Sequence, residues 1–119
     1  MKVNILLLVL SAAVGQTANA ETTYNKIDCM LVKGDALFGA ETARDGKSLK
    51  EGLEHLMASY KMTDEQLVKT KRKPTSIAVK TQAKMSFTDG YNEALRQPEK
   101  SVDLIGGDAY LACTFAKYK

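Results

Sequence analysis

Cys29 and Cys113 are the only cysteines among 119 residues, and a bond between them would tie nearly the whole folded chain into one loop. Whether two cysteines pair depends on the redox state of the compartment. The start of the chain addresses that question. Lys2 supplies a short basic region, Ile5-Leu6-Leu7-Leu8-Val9-Leu10 an apolar stretch, and Ala18-Asn19-Ala20 a small-x-small cleavage site. After it the character changes abruptly to Glu21-Thr22-Thr23-Tyr24. This is the pattern of a cleaved secretory signal. The apolar run is shorter than the roughly 20 residues needed to span a bilayer, and no later stretch approaches that length, so no stable membrane insertion is expected. No cysteine stands at the cleavage point to carry a lipid anchor.

The expected mature chain is therefore Glu21 to Lys119, a single domain large enough for a modest core. Its expected location is the periplasm. In that oxidising setting two cysteines in a small domain pair, and the sequence predicts a Cys29–Cys113 disulfide. On the loop-entropy model such a bond stabilises by about 4 kcal/mol, a large share of the roughly 5–15 kcal/mol that holds a typical domain together. A redox-active pair would need closer spacing, as in C-x-x-C. The full chain has 17 basic and 14 acidic residues, and the signal removes one lysine, so the mature charge is about +2. Such a balance gives no electrostatic footprint for nucleic acid.

The remainder reads as helices. Over residues 26–45, Ile27, Met30, Leu31, Gly34, Leu37 and Phe38 recur at intervals of three and four, with Asn25 or Thr23 as cap. Asp45-Gly46 ends this helix, Gly46 suiting the left-handed position beyond it. Ser48-Leu49-Lys50-Glu51 is a capping box, in which the hydroxyl and the carboxylate each satisfy a backbone N–H of the first turn. Leu49, Leu53, Leu56, Met57 and Tyr60 follow as one stripe. Thr63-Asp64-Glu65-Gln66 repeats the device and predicts a third helix carrying Leu67 and Val68, which must stop before Pro74.

Residues 76–96 fit two patterns. Ile77, Val79, Ala83, Met85 and Phe87 alternate as in a strand, whereas Val79, Ala83, Phe87, Tyr91, Ala94 and Leu95 form one helical face. The helix is preferred, because a single strand would find no partner in the chain. Gly106-Gly107 marks a turn, with Asp108 as cap of a final helix bearing Leu111, Cys113 and Phe115. The expected architecture is an all-α bundle of four or five helices stapled by one disulfide.

Reaction chemistry is not evident. His55 is the only histidine and lies one turn beyond Glu51, but a metal centre needs three or four ligands and no others stand ready. No serine sits in G-x-S-x-G, and no nucleophile, base and orienting group can be assembled. The expectation is no enzyme, no cofactor and no metal site. Lys69, Lys71, Arg72 and Lys73 form the one local concentration of charge. It reads either as a docking patch for an acidic partner surface or anionic lipid head groups, or as a solvated helix end.

The layout carries one resemblance. The signal is followed closely by Tyr24-Asn25-Lys26-Ile27-Asp28-Cys29, then a helix containing Asp35-Ala36, and the second cysteine lies within Gly107-Asp108-Ala109-Tyr110-Leu111-Ala112-Cys113. In this the chain resembles the small two-cysteine periplasmic helical proteins, including the amidase immunity proteins of type VI secretion. The resemblance implies a helical protein, often a homodimer, that binds and blocks a cell-wall-degrading hydrolase or toxin. No loop motif of that family is matched, so no binding residue carries over. The other expectation is a stress-protective, chaperone-like periplasmic protein that exposes Met57, Met62 and Met85.

Overall fold

The computed structural model describes residues 28–117, and these form four helices and no strand. In chain order they are α1 (Cys29–Arg44), α2 (Leu49–Lys69), α3 (Ile77–Arg96) and α4 (Val102–Lys117). The expected export signal with Ala18-Asn19-Ala20 lies outside the described residues, as do Thr23, Asn25 and Ile27. The all-α bundle is what forms, and Cys29 at the start of α1 is bonded to Cys113 in α4, their Cα atoms 5.6 Å apart.

The centre of the bundle is the α1–α3 pair, which runs in the same direction at very short range. A Cβ on Gly39 would stand 2.0 Å from the Phe87 carbonyl oxygen, and one on Gly90 would stand 2.0 Å from that of Ala36. Any larger residue would push the two backbones apart. This explains where the face of α1 lies. Its buried residues are Cys29, Val32, Ala36, Gly39, Ala40 and Thr42, a strip of mostly small side chains. The expected face through Met30, Leu31, Gly34, Leu37 and Phe38 is displaced: Leu31, Leu37 and Phe38 flank the seam half-buried, Gly34 is exposed, and Met30 is 59% exposed. Close approach selected for small residues where the pattern of large ones pointed elsewhere.

α2 and α4 lie on opposite sides of this pair and do not touch each other. α4 runs back along α1 and closes a cluster of Ala40, Ala94 and Ile105. α2 closes a second cluster of Leu56, Ala83 and Phe87, with Leu49, Leu53, Met57, Tyr60 and Phe38 packed around it. Phe87 is fully buried and meets Phe38 edge-on, ring centroids 5.2 Å apart, a favourable quadrupole arrangement. The predicted α2 stripe is therefore in place.

Three boundaries differ from the sequence reading. α1 starts at Cys29 rather than within 26–28, because Asp28 has extended backbone and its carboxylate accepts from the Met30 N–H at 2.8 Å. Thr63-Asp64-Glu65-Gln66 does not start a helix; it lies inside the 21-residue α2. Residues 53–62 contain no glycine or proline, so propagation continues, and Asp64 is used elsewhere. α4 begins at Val102, with Ser101 Oγ accepting from the Leu104 N–H at 3.1 Å. Gly106-Gly107 is helical because Gly106 packs beside Leu37 and the Lys33 carbonyl, while Asp108 pairs with Lys100 at 2.5 Å rather than capping. The predicted helix over 76–96 forms, capped by Ser76, whose Oγ accepts from the Val79 N–H at 3.2 Å.

Candidate functional site

The basic run stands at the C-terminus of α2 and in the loop that leads to α3. Lys69 is the last residue of the helix and Thr70 its cap. Lys71 then takes a left-handed conformation with φ 62°. Its N–H donates to the Val68 carbonyl at 3.0 Å, and the Arg72 N–H donates to that of Leu67 at 2.7 Å. This is the Schellman pattern, which satisfies helix carbonyls that would otherwise be unpaired. The Thr70 hydroxyl donates to the Gln66 and Leu67 carbonyls, each at 3.0 Å. Lys69, Lys71, Arg72 and Lys73 are thus held on a defined turn, all exposed.

Asp64 pins this end of α2 to α3. One carboxylate oxygen accepts from the Thr75 N–H at 2.7 Å and the other meets Lys80 Nζ at 2.7 Å. Burial alone would raise its pKa, but the Lys80 ammonium and Thr75 outweigh that and hold the carboxyl below the usual range. Alongside runs an open groove of about 670 Å³, with Met57, Tyr60, Lys61, Val68 and Lys69 of α2 on one side and Lys80 of α3 on the other. Patterning alone placed Val68 beside Leu67 without separating them; Leu67 is buried and Val68 is 58% exposed at the groove.

A second hollow of about 600 Å³ lies where α1, α3 and α4 meet, lined by Val32, Gln82, Ser86, Asp89, Ala112 and Cys113 among others. Its Gln82 Nε2 donates to Ser86 Oγ at 3.0 Å. Between the hollows, a small cavity holds Asp35 among Val32, Val79, Gln82 and Ala83. Burial pushes the Asp35 carboxyl up to about 7, and burial above all, with the charges of Asp35 and Asp64, raises the Tyr60 phenol. Sequence reasoning noted Asp35 only as part of a layout; no spacing marks a carboxylate as buried.

His55 is exposed on α2, its ring edge-on to Phe38 at 6.3 Å. Glu51 is occupied by the Ser48 cap, accepting from its N–H at 3.1 Å, which lowers its pKa. The two residues do not form half of a metal site, and no group of three or more potential ligands is arranged for a metal among the described residues. No described helix is long and apolar enough to cross a membrane. Comparison with protein-family models, curated proteins and solved structures finds no match.

Proposed function

We propose that this chain is an exported binding protein that blocks a partner enzyme in the periplasm, an inhibitor or immunity protein against a cell-wall-degrading hydrolase or toxin. The observation that carries this reading is the basic run, displayed on a hydrogen-bonded turn of a disulfide-stapled scaffold. A rigid surface of one charge steers an oppositely charged partner and loses little entropy on binding. On this reading catalysis is the partner's, and no residue here takes part in bond making.

The test begins with the full chain from the cell envelope, used to capture a hydrolase whose activity is then measured with and without it. Association should slow as salt rises, because screening acts over about 8 Å at physiological ionic strength. Reversing Lys71 and Arg72 to Glu should slow it further and leave the melting temperature nearly unchanged. His55→Ala should leave binding intact. An association rate indifferent to both salt and charge reversal would remove the basic run from the interface.

The stress-protective reading has one observation in its favour: Met62 and Met85 are 68% and 56% exposed already in the folded chain. It predicts suppression of aggregation of many unrelated clients. The inhibitor reading predicts one saturable partner.

A further inference from the structure

On α2, Met57, Tyr60, Lys61, Asp64, Val68 and Lys69 recur at helical intervals and line one side of the open groove. From Met57 to Lys69 the stripe runs about 18 Å at the helical rise, the length of five or six extended residues at about 3.3 Å each. Its apolar part is adaptable. Met57 and Tyr60 are half-buried, and Val68 lies open beside them.

The charge of the groove is one-sided. Asp64 is neutralised by Lys80 across the two helices. Among the described residues Lys80, Arg96 and Lys100 each meet a carboxylate, whereas Lys61, Lys69, Lys71 and Arg72 form no ion pair. Glu65 is the only other carboxylate on the lining. Two of these cations, Lys61 and Lys69, line the trough, and Lys71 and Arg72 follow on the turn just beyond Lys69, where Lys71 occupies a left-handed position in which glycine is the usual residue.

The geometry points to this groove as the docking site for an acidic protein segment that carries an aliphatic or aromatic side chain. The apolar side chain seats against Met57, Tyr60 and Val68, and its flanking carboxylates meet Lys61, Lys69 and the turn at Lys71 and Arg72. This rests on the binding-protein reading and gives the partner a chemistry. A concave trough with an apolar floor fits a chain segment, whereas an anionic bilayer presents a broad surface that does not enter it.

The test uses the full chain with its disulfide intact, followed by NMR during titration with three synthetic peptides. The first has a Leu-Phe pair flanked by Asp and Glu, the second replaces Leu-Phe by serines, and the third replaces the acids by lysines. The first should shift the amides of 57–69 and bind at least about tenfold more tightly than either control. Lys61→Glu with Lys69→Glu should weaken it by about tenfold or more, and Val68→Asp should weaken it independently. All three side chains are exposed, so melting curves should not move. Equal affinity for the three peptides, or shifts confined to another face, would overturn the assignment. So would binding to phosphatidylglycerol vesicles in place of the peptide. A groove that binds the acidic peptide while no hydrolase is blocked removes the inhibitor reading alone. A hydrolase blocked equally well after Lys61 and Lys69 are reversed removes the groove alone.

Discussion

α1 and α2 end with the same pair of backbone hydrogen bonds and differ in the residue on which the chain turns. After α1, the Gly46 N–H donates to Ala43 at 3.0 Å and that of Lys47 to Thr42 at 3.2 Å, with Gly46 at φ 78°. After α2, Lys71 and Arg72 make the equivalent bonds to Val68 and Leu67, with Lys71 at φ 62°. Glycine adopts this conformation without steric cost, while a residue with a Cβ gives up roughly 1 kcal/mol. The turn is thus set by the carbonyls that need partners, and the α2 terminus carries a strained cation where the other terminus has glycine. The surroundings differ in the same sense. The end of α1 is bound into the α1–α3 seam by Arg44, whose Nη2 donates to the Gln97 carbonyl at 3.0 Å, while α2 is tied to α3 one turn earlier, at Asp64, and residues 68–73 beyond it are exposed. Backbone strain of this kind gathers at sites of function.

Four measurements would sharpen or break this contrast between a tight seam and an open end. The largest effect should come from Asp35, set between α1 and α3 with Tyr60 facing it from α2. Its folded pKa of about 7 lies above the value near 3.9 of an unfolded Asp. The folded state therefore binds this proton more tightly, and the stability gained below pH 4 is lost as pH rises through 7, by an amount of order 4 kcal/mol. Asp64 and Glu93 work in the opposite sense. Lys100 and then Arg96 lower the Glu93 pKa, so the stability these carboxylates supply is lost as pH falls through their depressed pKa values. Urea denaturation should show a maximum in mild acid, and Asp35→Asn should flatten the alkaline limb.

Gly90→Val comes next, since its Cβ has no room beside Ala36. It should cost about 3 kcal/mol or prevent folding, whereas Ala58→Val on the exposed face of α2 should cost about half a kcal/mol in the same urea experiment. Exchanging the two turn residues should then have effects of opposite sign: Lys71→Gly should stabilise and Gly46→Ala should destabilise, each by about 1 kcal/mol. If Lys71→Gly is neutral in thermal and chemical denaturation, the strain argument fails. The smallest effect belongs to Lys71→Glu, which should change stability by less than about 0.5 kcal/mol and be visible only in association kinetics.

The helices were legible where one physical requirement dominated. The Ser48 capping box, the apolar stripe behind it and Gly46 each have a local cause, and each is in place. The α3 face is in place through Val79, Ala83, Phe87 and Ala94, with Tyr91 half-buried, whereas Leu95, expected on it, is 57% exposed. What was not legible depends on neighbours. Thr63 to Gln66 has the composition of a helix start, but Asp64 serves Thr75 and Lys80, which are near only after α2 and α3 fold together. Gly106-Gly107 looks like a turn until α1 is laid beside it. The buried strip of α1 follows from the approach of the α3 backbone, which no periodicity in α1 reports. Of the candidate surface, the basic run could be named from its charge. Its companions Lys61, Tyr60 and Val68 could not, because the groove exists only once Lys80 stands opposite them.

The bond between Cys29 and Cys113 spans 84 positions, and this gives the protein a topology as well as a staple. Everything between the two cysteines, including the lysine- and arginine-bearing turn after α2, belongs to a covalent ring. A protease that cuts this turn opens the ring without dividing the molecule, so α1 and α2 remain attached through α4 to α3. The segment most open to a partner is then also one that can be nicked without loss of either half, and only a nick followed by reduction releases two pieces.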